Sequence, residues 1–267
     1  MTLKTCHAGL THVGRARENN QDRWFADRRA GLYLVADGMG GGPAGELAAQ
    51  VVADTLPALV ERRLPAGADL AAPETQEALL AAIGELSDRL YQESRQQPGL
   101  SGMGSTVVLG LLRGAQALVA HLGDSRAYLL RDGRLERLTQ DHSIVELLLE
   151  TGDIQPEEVA GHPARGQLTR FVGMPGEPLP EARLLELRAG DRLLLCSDGL
   201  SGMVSDEQLR EILGQGKWPR GACRKLINAA NRAGGRDNVT AVVVDLLLAQ
   251  SDSSSAQTRR LDNVSKA

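Results

Sequence analysis

Thr106-Val-Val-Leu-Gly-Leu-Leu112, Ala117-Leu-Val-Ala-His-Leu122 and Ala127-Tyr-Leu-Leu130 follow one another across short breaks, and the last continues through Arg131-Asp132-Gly133-Arg134 to Leu138. Each run has strand length, and nothing from residue 105 to 138 could form a helix between them, so neighbours pair antiparallel. Asp132-Gly133 is the dipeptide of a tight hairpin, here spanning Tyr128 to Leu138. A doubly wound parallel sheet needs a helix between successive strands, so this stretch excludes it.

Further strand-length runs lie at Leu32 to Ala36, Arg192 to Cys196 and Val239 to Leu248. Helical patterns sit between these groups. One runs from Ala44 to about Pro57, where proline is expected to kink or stop it. Leu79, Ile83, Leu86 and Leu90 recur at helical spacing and make one apolar face. Ser143 with Glu146 reads as a capping box opening a helix that ends near Gly152, and Ser205 with Gln208 repeats the device ahead of the stripe Leu209, Ile212 and Leu213. Pro219 to Ala230 reads as a last helix, with Gly234 beyond its end. Strands and helices are grouped and do not alternate, which predicts an α+β layered fold on antiparallel sheets.

The 267 residues suit one sizeable domain, expected over residues 1–248. From 249 to 267 the chain turns polar and serine-rich and is expected to be a disordered tail. The net charge of −4, without a basic stripe, argues against phosphate-driven nucleic-acid binding. No apolar run reaches the length of a membrane span, and no basic cluster with an apolar stretch behind it marks a secretory signal. Three scattered cysteines, Cys6, Cys196 and Cys223, form neither a disulfide framework nor a zinc cluster, which points to a cytoplasmic location.

Three apolar runs finish in an aspartate beside glycine: Leu32-Tyr-Leu-Val-Ala-Asp37-Gly38, Ala117-Leu-Val-Ala-His-Leu-Gly123-Asp124 and Arg192-Leu-Leu-Leu-Cys-Ser-Asp198-Gly199. A fourth acid, Asp237, immediately precedes the strand at Val239. Strand ends hold such carboxylates rigidly, and glycine lets backbone or ligand approach closely. Asp-Gly is also the commonest tight-turn dipeptide, and any one of these could be no more than a turn; Asp37-Gly38 differs because a glycine-rich stretch and a helix follow it, with no returning strand. Carboxylates converging on one point repel unless a cation lies between them, and an all-oxygen donor set suits Mg²⁺ or Mn²⁺. Gly40-Gly41-Gly42-Pro43-Ala44-Gly45 matches the dinucleotide fingerprint, but it follows a strand ending in a charged Asp, contains proline, and lacks a βαβ setting.

These fragments together resemble the metal-dependent (type 2C) serine/threonine protein phosphatases in their short bacterial form. The resemblance covers residues 5 to 247 in order. It is carried by Arg17-Glu-Asn-Asn-Gln-Asp22, Val35-Ala-Asp-Gly-Met-Gly-Gly41, Gly104-Ser-Thr106, Gly123-Asp-Ser-Arg126, Leu168-Thr-Arg170, Ser197-Asp-Gly199 and Asp237-Asn238. It implies a four-layer α-β-β-α sandwich with two central antiparallel sheets, and two Mn²⁺ or Mg²⁺ ions in a cleft at one end. By that resemblance Asp37 bridges both ions, the Gly38 carbonyl completes one site, Asp198 and Asp237 hold the other, and Asp22 supports them from behind. Arg17 grips the substrate phosphate, its planar fork matching two oxygens. Asp124 with Asp198 would hold a third, weaker ion.

Residues 141–173 correspond to the family's mobile flap, shaped by Gly152 and His162-Pro163. Ser105 and Thr106 are read as structural, and His121 as a packed strand residue. Gln21 stands where a glutamate often lies, and Met39 where a histidine could protonate the leaving oxygen; Met cannot donate a proton. The implied activity is direct in-line hydrolysis of phosphoserine and phosphothreonine by a water activated between two metals, with no covalent phospho-enzyme. Implied partners are phosphoproteins and the pathway of a bacterial serine/threonine kinase, in cell-wall signalling or type VI secretion; the chain is expected to act as a monomer. A phosphoprotein-binding module of the same fold and a two-metal nuclease are the competing classes. Intact Asp37, Asp198, Asp237 and Arg17 argue against the first, and the acidic net charge against the second.

Overall fold

The computed structural model describes residues 3–41 and 43–249. The expected tail lies outside the described residues from position 250 onward. In chain order the elements are β1 (Leu3–His12), β2 (Asp22–Asp27), β3 (Leu32–Met39), α1 (Ala44–Arg63), α2 (Pro73–Gln96), β4 (Gly104–Ser105), β5 (Val107–Arg113), β6 (Gln116–Leu122), β7 (Arg126–Arg131) and β8 (Arg134–Arg137). There follow α3 (Ile144–Thr151), β9 (Glu181–Glu186), β10 (Arg192–Cys196), the short α4 (Asp198–Ser201), α5 (Asp206–Gln215), α6 (Pro219–Arg232) and β11 (Val239–Leu248).

The strands form two antiparallel sheets, ordered β1-β11-β10-β7-β8 and β2-β3-β5-β6-β9, with β4 added to the end of β3. Asp132 and Gly133 both take positive φ, 50° and 76°, which is the turn that lets β7 and β8 pair directly.

Alternation along each strand builds the layers. On β3, Leu32, Leu34 and Ala36 pack under α1 and α2 with the buried helix face Leu79, Ile83, Leu86 and Leu90. Tyr33 and Val35 point the other way and meet Leu193, Leu195, Val242 and Val244 of the first sheet. The opposite face of that sheet, with Tyr128, Leu194, Cys196 and Val243, is covered by Leu209 and Leu213 of α5 and Cys223 and Leu226 of α6. The result is the expected four-layer sandwich with three apolar seams.

Of the kink or stop expected at Pro57, the stop does not occur: the helix begun at Ala44 runs to Arg63. Leu56, Leu59 and Val60 are buried on the seam, so three apolar anchors around the proline hold the helix over the backbone bond it cannot make.

Candidate metal centre

The strand parity that sends Tyr33 and Val35 into the seam between sheets also sends Asp37 there, at the rim where β3 ends. Asp22 of β2 lies directly opposite Asp37 in the register. Asp22 is fully buried, and its Oδ2 accepts a 2.7 Å hydrogen bond from Ser197 Oγ at the end of β10, in the other sheet. Ser197 Oγ in turn accepts from the Thr240 amide at 3.0 Å. One hydroxyl therefore ties the buried acid to both β10 and β11, while Asp22 Oδ1 has no hydrogen-bond partner among the described residues.

Asp198 and Asp237 arrive from the first sheet. Gly199 packs so tightly on residue 238 that a Cβ there would sit 1.9 Å from the Asn238 carbonyl oxygen, so glycine is what lets the two acidic segments touch. Asp198 lies near enough to Asp37 for the charge of one to bear on the other, so acids of both sheets share the rim. Burial, then the charge of Asp237, raises the Asp198 pKa. Burial, then Asp22 and Asp198, pushes Asp37 well above the carboxylate range. Asp124 rises through burial and then through Asp198 and Asp141. Burial lifts Asp22 to about 7, against the hydrogen bond from Ser197. Every shift has the sign of a site short of positive charge.

The second rim of the site is backbone held by glycine. A Cβ on Gly38 would meet the Gly45 carbonyl at 1.8 Å, which seats the start of α1 against the Gly38 peptide. Ser105 Oγ donates to the Asp37 carbonyl at 3.0 Å, the Thr106 amide donates to the same oxygen at 2.8 Å, and the Asp37 amide donates to Thr106 Oγ1 at 3.3 Å. Both hydroxyl residues are buried, as their structural reading requires. Met39 pairs with Gly104 across the β3–β4 ladder.

Arg17 sits on the loop between β1 and β2 and reaches Asp237 Oδ2 at 2.8 Å, with its side chain 53% exposed. Asn238 fastens that loop. Its Oδ1 accepts from the Gln21 amide at 2.8 Å, and its Nδ2 donates to the Val13 and Asn19 carbonyls at 2.9 Å each. In the sequence, Asn238 and Ser197 are marked only by lying beside Asp237 and Asp198 in their motifs, which gives neither a task.

Residues 141–173 fold back beside the acids. Ser143 caps α3 by accepting from the Glu146 amide, and Gly152 ends it at φ 76°. The expected reciprocal bond is replaced, because the Glu146 carboxylate pairs with Arg137 instead. The two limbs of the segment meet where the Ile144 amide donates to the Gln167 carbonyl and the Thr169 amide to the His142 carbonyl. Beneath lies a cavity of about 820 Å³ lined by Asp124, Arg126, Asp141, Val145, Arg165 and Asp198, among others.

His121, His142 and Glu181 also place potential donor atoms within 4.8 Å of one another. This group includes none of the rim aspartates. His142 Nδ1 accepts from the Gly123 amide at 3.1 Å, so a neutral ring carries its proton on Nε2 and has no lone pair there for a cation. His121 is buried and holds the Gln140 carbonyl through Nε2 at 2.7 Å, in keeping with a packed strand residue.

Fold and rim together define the class: an α-β-β-α domain built around a carboxylate centre shared by its two sheets. The family model for Protein phosphatase 2C matches residues 8–234. The serine/threonine protein phosphatase PstP of Mycobacterium tuberculosis is 42% identical over 248 residues, 92% of this chain, but the chain spans only 46% of that protein. Among solved structures, PppA, a key regulatory component of T6SS in Pseudomonas aeruginosa, superposes with a TM-score of 0.80 at 37% identity, covering 91% of this chain and 98% of that one. The PstP catalytic domain in complex with two manganese ions gives 0.78 at 40% identity, covering 92% and 100%. The chain belongs to the protein phosphatase 2C family, and the all-oxygen rim, short of positive charge, fits the hard divalent ions on which the family depends.

Proposed function

We propose that this chain hydrolyses phosphoserine and phosphothreonine esters in proteins at the rim shared by its two sheets. The observation that carries the reading is the gathering of acids from both sheets at one rim, where the charges of Asp22, Asp198, Asp124 and Asp237 all bear on Asp37, an arrangement that a cation among them would relieve. Asp37, the Gly38 carbonyl, Asp198 and Asp237 would hold two Mn²⁺ or Mg²⁺ ions, with Asp22 behind them and Asp124 with Asp198 offering a third position. When bound, the ions supply Lewis-acid activation of water and neutralise phosphate charge.

The chain's own residues do the rest. Arg17 exchanges its carboxylate partner for two phosphate oxygens, and Asn238 keeps its loop in place for that grip. Ser105 and Thr106 fix the Asp37 backbone, so its carboxylate does not swing as charge develops. Met39 has no proton to give, so the departing serine or threonine oxygen takes one from solvent. Cys196 is fully buried, and burial pushes its thiol up to about 12, which supports direct hydrolysis without a cysteine phospho-enzyme.

Substrates are phosphoproteins, and the partner pathway is that of a serine/threonine kinase; the likeness to PppA, a regulatory component of T6SS, supports a secretion-system setting as one of the two expected. No helix among the described residues is long and apolar enough to cross a membrane, and the unpaired, buried Cys196 and Cys223 suit a cytoplasmic setting, where we take the chain to act as a monomer.

The test is hydrolysis of p-nitrophenyl phosphate and a phosphothreonine peptide, with Mn²⁺ and Mg²⁺ titrated back after chelation. Cation-dependent turnover is expected, falling at least about a hundredfold in Asp37→Asn and in Asp198→Asn. Folded protein inert with both ions would overturn the reading and leave a module that binds phosphoproteins without cleaving them.

A further inference from the structure

A second pocket, of about 370 Å³, opens beside the Arg17 loop and is lined by His12, Arg15, Asn228, Asn231 and Arg232. It contains no carboxylate. Most arginines near acids in this fold are paired, as Arg23, Arg62, Arg126, Arg131 and Arg192 show. Arg15 and Arg232 have no ion-pair partner among the described residues, and both are exposed. His12 Nδ1 accepts from the Gly14 amide at 2.9 Å and lies 3.3 Å from the Asn231 amide nitrogen, so a neutral ring keeps its proton on Nε2 as a further donor.

The pocket is fixed relative to the metal rim. The Arg15 and Ala16 amides both donate to the Gly235 carbonyl, at 2.7 and 3.2 Å, and Gly14 at φ 83° brings the loop so close that a Cβ there would lie 2.2 Å from the Asp237 carbonyl. Arg17, two residues on from Arg15, meets Asp237 itself. The Cα atoms of Arg15 and Arg17 are therefore no more than about 7 Å apart, roughly two residues of an extended peptide.

We infer that this pocket is a substrate subsite for a second anionic side chain, phosphoryl or carboxylate, a few residues along the peptide from the phosphoresidue that Arg17 receives. The inference rests on the phosphatase reading and adds a substrate class to it: peptides with clustered negative charge. Paired guanidinium forks match either anion, and the phosphoryl group, with more charge and more acceptors, is the stronger ligand.

A positional series of phosphothreonine peptides tests this. Phosphothreonine, glutamate or alanine is placed at each position from the fourth before to the fourth after the scissile residue, and kcat/KM is compared in the wild type and in the Arg15→Ala/Arg232→Ala double variant. At one or two positions the anion raises wild-type kcat/KM about five- to tenfold over alanine, phosphothreonine more than glutamate, and less at high salt. The double variant brings the ratio to within about twofold while p-nitrophenyl phosphate turnover is unchanged, and lysine at both positions restores part of it. Equal rates for all peptides in an enzyme active on p-nitrophenyl phosphate, or a preference that survives in the double variant, overturn the subsite and leave the phosphatase reading standing. Protein inert towards every substrate overturns both.

Discussion

At the scale of single residues, Asp22 carries the most energetic tension. It is fully buried, one of its oxygens has no partner among the described residues, and burial lifts its pKa to about 7. The unfolded carboxyl titrates near 4, so between about pH 4 and 7 the folded chain binds more protons than the unfolded one. Without divalent cation, stability should therefore fall as pH rises through that window, by on the order of 3 kcal/mol from this residue. Asp22→Asn keeps an acceptor for Ser197 and removes the charge. Thermal melts after chelation should show the variant more stable than wild type at pH 8 and equal to it at pH 4, whereas parallel pH profiles would show that Asp22 is not the source. That an aspartate at this position mattered was legible from its motif. Its burial was not, because the sequence shows neither the cross-strand partner Asp37 nor the hydroxyl that Ser197 brings from the other sheet.

At the scale of elements, the loop between β1 and β2 and the segment from 141 to 173 are held by few, identifiable bonds. Asn238→Ala removes the three side-chain bonds by which Asn238 fastens the β1–β2 loop. The expected outcome is a KM for p-nitrophenyl phosphate raised several-fold with a smaller change in kcat, and a stability loss of about 1–3 kcal/mol in urea. His142 joins the other segment to the strand-end loop at Gly123 through its ring and its backbone. Burial, then His121 and Arg170, lowers its pKa to about 4. A ring kept neutral in the fold contributes stability at pH values above about 6.5, and that is lost as pH falls towards 4. Amide exchange across Ser143–Thr169, corrected for its intrinsic pH dependence, should quicken over that range, and His142→Gln should abolish the trend.

The strands that the sequence left unread share a position. β1, β2 and β9 are all sheet edges, where polar residues such as those of Leu3-Lys-Thr-Cys-His and Glu181-Ala-Arg-Leu-Leu-Glu186 blunt the apolar pattern. The interior strands, buried on both faces, announced themselves as continuous apolar runs. The edge strand β8 was visible only because its Asp132-Gly133 turn specifies the return. The helix runs past Pro57 for the opposite reason: buried neighbours outweigh the local rule by which proline ends a helix.

At the scale of the whole molecule, the sandwich contains charge away from its rim as well. Arg192 and Asp245 form a buried two-bond pair between β10 and β11, at 2.6 and 2.8 Å. Asp245→Ala would strand the guanidinium and should cost about 3–5 kcal/mol in denaturant unfolding, with p-nitrophenyl phosphate turnover at 25 °C near wild type. A matching loss of activity in still-folded protein would mean that the pair reaches the rim.

The rim acids differ because they come from both sheets and repel. A cation held at that rim, among Asp37, Asp198 and their neighbours, would join two layers that otherwise push apart there. Binding to the folded state alone adds about 2.7 kcal/mol at a hundred times the dissociation constant, which makes the open, protease-accessible form about a hundredfold rarer. Chains starved of the ion would then be the ones degraded first. Manganese or magnesium supply would set the number of copies a cell retains as well as the rate at which each one works.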